Sequence, residues 1–298
     1  MIARLLVWNL GDSKTAPAEL RGHLEGENNS DSGETAGQDS ACTARADVSG
    51  LRVERDGGIL RVTLAKPERR NAFDAALIAE LTEAFADVGD ARAVVLAGEG
   101  PSFCAGADVE WQRSSIDLTY EVNVEDARRL YRMLEAVFRC PAPVVARVQG
   151  YALGGGSGLV ACADIGVAAE DTVFGFSEVR LGIAPAVISP WVLAKIGPAA
   201  TRHHFLTGAR FDAQTALRIG LVQEVAADLD SAVERVLGDI LAGGPQAVRE
   251  AKRLALEPVD ELDAVNRAAK LRTTEEGQEG LRAFLERREP EWRSGSSS

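Results

Sequence analysis

The run Gly150-Tyr151-Ala152-Leu153-Gly154-Gly155-Gly156-Ser157-Gly158 constrains this chain more than any other feature, because it sits between two apolar stretches, Val144 to Val148 and Leu159 to Cys162. A buried strand, then residues with little side-chain bulk, then a helix brings backbone close to whatever faces the turn. It also leaves N–H groups free at a helix N-terminus, where the dipole adds positive character. A second segment, Phe103-Cys104-Ala105-Gly106-Ala107-Asp108, follows another buried strand in the same way. Two such turns brought together can aim two amides at one oxygen, which is what an enolate or a tetrahedral oxyanion requires. On the residues alone, two tight turns with helix caps is the other reading.

Better-known glycine motifs fail in detail. A GxGxxG match would need glycine where Leu159 stands, no GK[ST] follows for a phosphate loop, and Ser157 lacks the second glycine of a GxSxG elbow. His23, His203 and His204 do not make a metal set, since adjacent helical residues point in different directions. Glu178 is the remaining informative acid, in Phe176-Ser177-Glu178-Val179-Arg180-Leu181-Gly182-Ile183-Ala184-Pro185. Apolar neighbours on both sides would desolvate its carboxylate and raise its pKa toward general acid/base use. A glutamate paired with Arg180, or exposed at a strand end, is the alternative.

Around these segments the pattern is α/β. Leu51 to Glu54 and Ile59 to Leu64 flank Asp56-Gly57-Gly58, a hairpin signal. A helix from about Asp74, a strand at Ala93 to Leu96, an amphipathic helix over Val124 to Phe138 and strands at Val144 to Val148 and Ile165 to Ala168 alternate as in α/β architecture. Residues 1–50 carry hardly any large apolar side chain after the first ten and are expected to be a disordered, acidic extension. The main domain is expected over 51–290, with an α/β core at 51–197 and an almost wholly helical region at 198–290, and 291–298 as a flexible tail. The hydrophobic fraction, 46% of 298 residues, suffices for a large core.

A net charge of -12 argues against nucleic-acid or anionic-membrane partners, and no apolar run is long enough to span a bilayer. Cys42, Cys104, Cys140 and Cys162 stand singly, as reduced thiols do, so a cytoplasmic protein is expected.

Taken in order, Lys66-Pro67-Glu68-Arg69-Arg70-Asn71-Ala72-Phe73, FCAGAD at 103–108, GYALGGG at 150–156, Ala163-Asp164-Ile165 and FSEVRLGI at 176–183 resemble the crotonase (enoyl-CoA hydratase/isomerase) superfamily. The resemblance implies a spiral of ββα units with a helical C-terminal trimerisation region, hence a homotrimer or a dimer of trimers. It implies an acyl-CoA thioester substrate, with an acyl-carrier-protein thioester as another carrier, and neither metal nor cofactor beyond the CoA of the substrate. By motif position the N–H groups of Ala107 and Gly155 would hold the thioester oxygen and Glu178 would move the proton. Ala105, Asp108, Gly154, Gly158 and Arg180 are expected around the substrate. Lys66, Arg69 and Arg70 lie on the loop resembling the CoA-contacting one; a solvated basic turn is the competing reading.

The chain departs from a typical hydratase in one respect: Gly158 stands where a second glutamate is usual. The expected activity is hydration of an enoyl-CoA, with a branched glutaconyl-CoA such as 3-methylglutaconyl-CoA favoured, because the sequence looks most like bacterial methylglutaconyl-CoA hydratases. On that view Gly158 makes room for the distal carboxylate, and Arg180 pairs with it or forms a structural ion pair. A single glutamate also suits a delta-3,delta-2-enoyl-CoA isomerase. A decarboxylase of branched glutaconyl thioesters and a non-catalytic binding protein complete the alternatives.

Overall fold

Alternating strands and helices build the part of the chain that the computed structural model describes, residues 50–294. The expected disordered extension lies outside those residues except for Gly50, and so does the chain from residue 295 onward. The elements are β1 (Leu51–Asp56), β2 (Ile59–Leu64), α1 (Ala75–Ala86), β3 (Ala93–Gly98), α2 (Val109–Ser114), α3 (Tyr120–Phe138), β4 (Val144–Val148), β5 (Tyr151–Leu153), α4 (Gly155–Cys162), β6 (Ile165–Ala169) and β7 (Val173–Gly175). They continue with α5 (Ser189–Thr207), β8 (Arg210–Asp212), α6 (Ala213–Arg218), β9 (Glu224–Ala226), α7 (Leu229–Ala242), α8 (Pro245–Leu256), α9 (Glu261–Thr273), α10 (Glu275–Glu286) and α11 (Glu291–Ser294).

The hairpin β1–β2 pairs antiparallel from Leu51↔Leu64 to Asp56↔Ile59. From β2 the large sheet continues in parallel through β3, β4, β6 and β9. Its inner strands are near-continuous apolar runs because both faces are covered. Leu60, Val62, Val94 and Leu96 pack toward Leu77, Leu81, Met133 and Leu134 of α1 and α3. Ile59, Val95, Val145 and Val167 meet Val233, Val236 and Leu237 of α7 on the other face.

A smaller sheet, β5-β7-β8, accounts for the spiral. After β4 in the large sheet the chain turns into β5 in the small one and then into α4, and β6, β7 and α5 repeat the step. This is the crotonase-like α/β arrangement that the resemblance implies.

Three boundaries differ from expectation. The long helix α3 starts at Tyr120, ahead of Val124. The mostly helical region past Pro198 holds two short strands that were not expected: β8 completes the small sheet, with Phe211 stacked 5.8 Å from Phe174, and β9 extends the large one. Strands of three residues are too short to show alternation, and the Gly197-Pro198 step that reads as a boundary is a kink inside α5. The helical C-terminal region proper is α7 to α11. Finally, residues 291–294 are not tail but α11, held where the Arg92 guanidinium binds the carbonyls of Trp292, Leu241 and Gly243.

Candidate active site

The loop after β2 and the loop after β3 are tied together by one side chain. Asn71, completely buried, donates from Nδ2 to the carbonyls of Glu99 (2.9 Å) and Ser102 (2.8 Å), and its Oδ1 accepts from Lys66 N–H at 2.9 Å. Arg70 and Asn71 both have left-handed backbone, φ 53° and 54°, an arrangement these bonds sustain. The Ala105 N–H then donates to Arg70 O, the Phe73 N–H to Gly106 O and the Asp108 N–H to Phe73 O. Alternate backbone groups of 105–108 are thereby used up on one side, and the Ala107 N–H is turned to the other.

That other side faces β5 and the start of α4. Cys104 N–H donates to Tyr151 O and Leu153 N–H to Cys104 O, each at 3.0 Å. The approach is so close that a Cβ on Gly106 (φ 92°) would stand 2.8 Å from Leu153 O and 3.7 Å from Gly155 N, which restricts position 106 to glycine. Gly155 is the first residue of α4, where the helix supplies no acceptor for the N–H. Neither the Ala107 nor the Gly155 N–H has an acceptor among the described residues. Both residues line a cavity of ≈ 250 Å³.

Glu178 opens a 3-10 turn, Glu178–Leu181, beside β7 and lines the same cavity. Its Oε1 passes over Gly154, 3.2 Å from where a Cβ would be, and its Oε2 is buried with no hydrogen-bond partner among the described residues. Burial raises the carboxyl pKa above the ordinary glutamate range, opposed in part by the residue's own N–H. Glu178 is the sole charged side chain among the described residues lining the cavity; most of the wall is apolar, including Phe73, Leu130, Leu153, Leu181 and Ile188. Burial pushes the nearby Cys104 thiol up to about 12, so it packs rather than attacks. Among the described residues no group of three or more His, Cys, Asp or Glu is placed to hold a metal.

Of the remaining site residues picked from the sequence, Ala105 and Gly154 line the cavity. Asp108 serves as N-cap of α2, accepting from Glu110 and Trp111 N–H, and pairs with Arg69 at 3.4 Å. Lys66 is paired with Asp74 at 2.7 Å, and Arg70 is left without an ion-pair partner among the described residues. Two expectations are corrected. Gly158 does not open space: a Cβ there would lie 2.5 Å from Ile188 Cγ2 and 3.1 Å from Ile188 Cβ, so the isoleucine, 3% exposed, already fills the volume. Arg180 neither pairs with Glu178 nor lines the cavity; its stem runs over Gly208 beyond α5. Sequence reasoning missed Ile188, a plain apolar residue just past the FSEVRLGI segment, and the tying role of Asn71, for which three neighbouring cations were the louder signal.

Known proteins resemble this chain over most of its length. The family model for enoyl-CoA hydratase/isomerase matches residues 54–295. A Thermus thermophilus relative carrying the enoyl-CoA hydratase name is 33% identical over 251 residues, 80% of this chain and 99% of its own. The solved enoyl-CoA hydratase of Shewanella pealeana superposes with a TM-score of 0.77 at 37% identity, covering 82% of this chain and 96% of that one. AtuE of Pseudomonas aeruginosa superposes at 0.79, also at 37% identity, covering 82% and 99%.

Proposed function

The chain belongs to the enoyl-CoA hydratase/isomerase family, and from that premise we propose that it adds water across the C2=C3 bond of a 2-enoyl-CoA thioester. The observation that carries the reading is Glu178, a desolvated carboxylate with one free oxygen, in the same cavity as two unpartnered N–H groups. The Ala107 and Gly155 amides hold the thioester oxygen. Glu178 takes a proton from water as the water oxygen bonds to C3, and the C2=C3 electrons move onto the thioester as an enolate. The same carboxyl then returns the proton to C2, so one group serves as base and acid. Two fixed donors on an oxygen gaining charge are worth several kcal/mol in such a step, and the chemistry needs no cofactor beyond CoA.

For the acyl chain, the cavity wall suits a short or branched hydrocarbon. The distal carboxylate of a branched glutaconyl chain would meet no cation in the cavity lining, and Ile188 occupies the room that Gly158 was expected to leave. One observation favours isomerisation as a second reading: Glu178 is the single acid in the lining, and a proton shuttle between C4 and C2 needs only one. A homotrimer or dimer of trimers belongs to the same proposal, supported by exposed Leu262, Val265, Phe284 and Leu285 on α9 and α10. So does a cytoplasmic setting, supported by the free, buried thiols of Cys104, Cys140 and Cys162.

A set of ultraviolet assays with crotonyl-CoA, 3-methylglutaconyl-CoA and a 3-enoyl-CoA tests the reading. Loss of conjugated-thioester absorbance with crotonyl-CoA, and a product heavier by one water, is expected. A rise with the 3-enoyl-CoA and no change with the others would replace hydration by isomerisation.

A further inference from the structure

Position 155 holds glycine for want of space rather than for backbone freedom. Gly155 lies inside α4 without the positive φ that Gly106 and Gly154 show, so a neighbour must be what excludes a side chain there. That neighbour is Phe73. A Cβ at 155 would stand 2.7 Å from Phe73 Cε2 and 3.1 Å from Cδ2, and the three nearest heavy atoms all belong to this ring. The ring edge, which also lines the cavity, therefore lies against the backbone that carries one of the two donors.

The same residue holds the other donor through its backbone. Phe73 N–H donates to Gly106 O at 2.7 Å and Phe73 O accepts from Asp108 N–H at 2.8 Å, which pairs Phe73 with Ala107 in a one-residue parallel bridge. Gly106 O and Ala107 N–H belong to one planar trans peptide and point in opposite directions, so fixing the carbonyl on Phe73 fixes the aim of the N–H. Phe73 is itself immobilised. Asn71 ties the loop two residues earlier, Asp74 caps α1 immediately after by accepting from Leu77 N–H at 2.8 Å, and Phe73 is 1% exposed. The bonds of Cys104 to Tyr151 and Leu153 align the two segments, but they lie upstream of both donors.

We propose that Phe73 is a positioning residue that sets the spacing of the two donors, its backbone orienting the Ala107 N–H and its ring limiting how closely Gly155 can approach. The inference rests on the thioester reading above. One oxygen can accept from both amides only where their separation allows two bonds of about 2.9 Å. A buried ring with two side-chain torsions keeps that separation within narrow bounds, whereas a smaller side chain would leave a gap into which the start of α4 can settle.

Acetoacetyl-CoA reports on the donors directly. Its 3-oxoacyl thioester ionises to an enolate that absorbs in the near ultraviolet, and two amides on the thioester oxygen favour that form, so the bound ligand should ionise at lower pH than the free one. Phe73→Leu keeps both backbone bonds and most of the apolar volume. It is expected to raise the pH of half-ionisation of the bound ligand by about one unit, and to lower kcat about tenfold with KM little changed. Gly155→Ala should lower kcat by pressing on the ring. Adding Phe73→Leu to Gly155→Ala should recover part of that loss, because the ring is what the new methyl meets. A merely structural role predicts a lower urea midpoint for Phe73→Leu with kcat per folded molecule and the enolate signal unchanged. That result, or a double variant whose kcat falls by the product of the single losses, would overturn the proposal. Parental protein that bound acetoacetyl-CoA without shifting its ionisation would overturn the proposed function, and the spacing role with it.

Discussion

The contact between Gly158 and Ile188 lends itself to a double-mutant cycle. A Cβ at 158 would lie 2.5 Å from Ile188 Cγ2, well inside contact distance. Overpacking of that kind costs about 2 kcal/mol, whereas alanine in place of glycine within α4 returns about 1 kcal/mol of helix propensity. Gly158→Ala should therefore destabilise by about 1 kcal/mol although alanine is the better helix former. Ile188→Ala, at a buried position, should cost about 3 kcal/mol. Independent effects would sum to about 4 kcal/mol; if the methyl is the obstacle, Gly158→Ala becomes favourable once it is gone and the double variant loses only about 2 kcal/mol. Urea unfolding of the four proteins at one fixed concentration measures the difference. Gly158→Ala costing the same in both backgrounds would refute the argument that Ile188 fills the place of a second carboxylate. Gly158→Glu alone meets the same methyl before it can reach the cavity.

Glu178→Gln should lower kcat at least about 100-fold while leaving CoA binding in place, and near-parental turnover would remove Glu178 from the mechanism. The active form is the carboxylate, which burial makes easier to protonate, so the acid limb of kcat/KM should lie above the ordinary glutamate value of 4.5. The same group binds its proton more tightly folded than unfolded. Stability from it is greatest below the unfolded pKa and declines as pH rises through the folded one; Glu178→Gln should melt above the parent at neutral pH and lose that advantage in acid. Asn71→Ala leaves two carbonyls and an N–H unpaired and places alanine at φ 54°, so it should destabilise by about 3 kcal/mol and lower kcat; an unchanged urea midpoint would contradict the tying role.

Much of the site was readable because it is built from backbone. Glycine runs behind buried strands announce close approach; the resemblance, by motif position, picked Ala107 and Gly155 within them, and apolar neighbours singled out Glu178. What the sequence hid was long-range. Nothing near Gly158 names Ile188 thirty residues on, and nothing near Arg180 says that its stem will leave the cavity for Gly208. The fold was legible wherever burial on two faces produced unbroken apolar strands, as in β3 and β4. It was not legible in β8 and β9, whose three residues each pair only because distant strands offer them an edge, nor in α11, where Arg92 captures carbonyls that have no local sequence mark.

The two donors facing the cavity are peptide groups, and this bears on how the protein can change over generations. Every amino acid except proline carries an N–H, so almost any codon change at Ala107 keeps the donor itself and alters only its aim. On the proposed mechanism, the cavity-lining residues between 181 and 188 can therefore drift toward new substrates while the donor pair is inherited intact. If Glu178 moves the proton as proposed, lineages diverging from this chain would be expected to trade substrate preference readily and to lose activity chiefly through Glu178, whose carboxylate a single codon can delete.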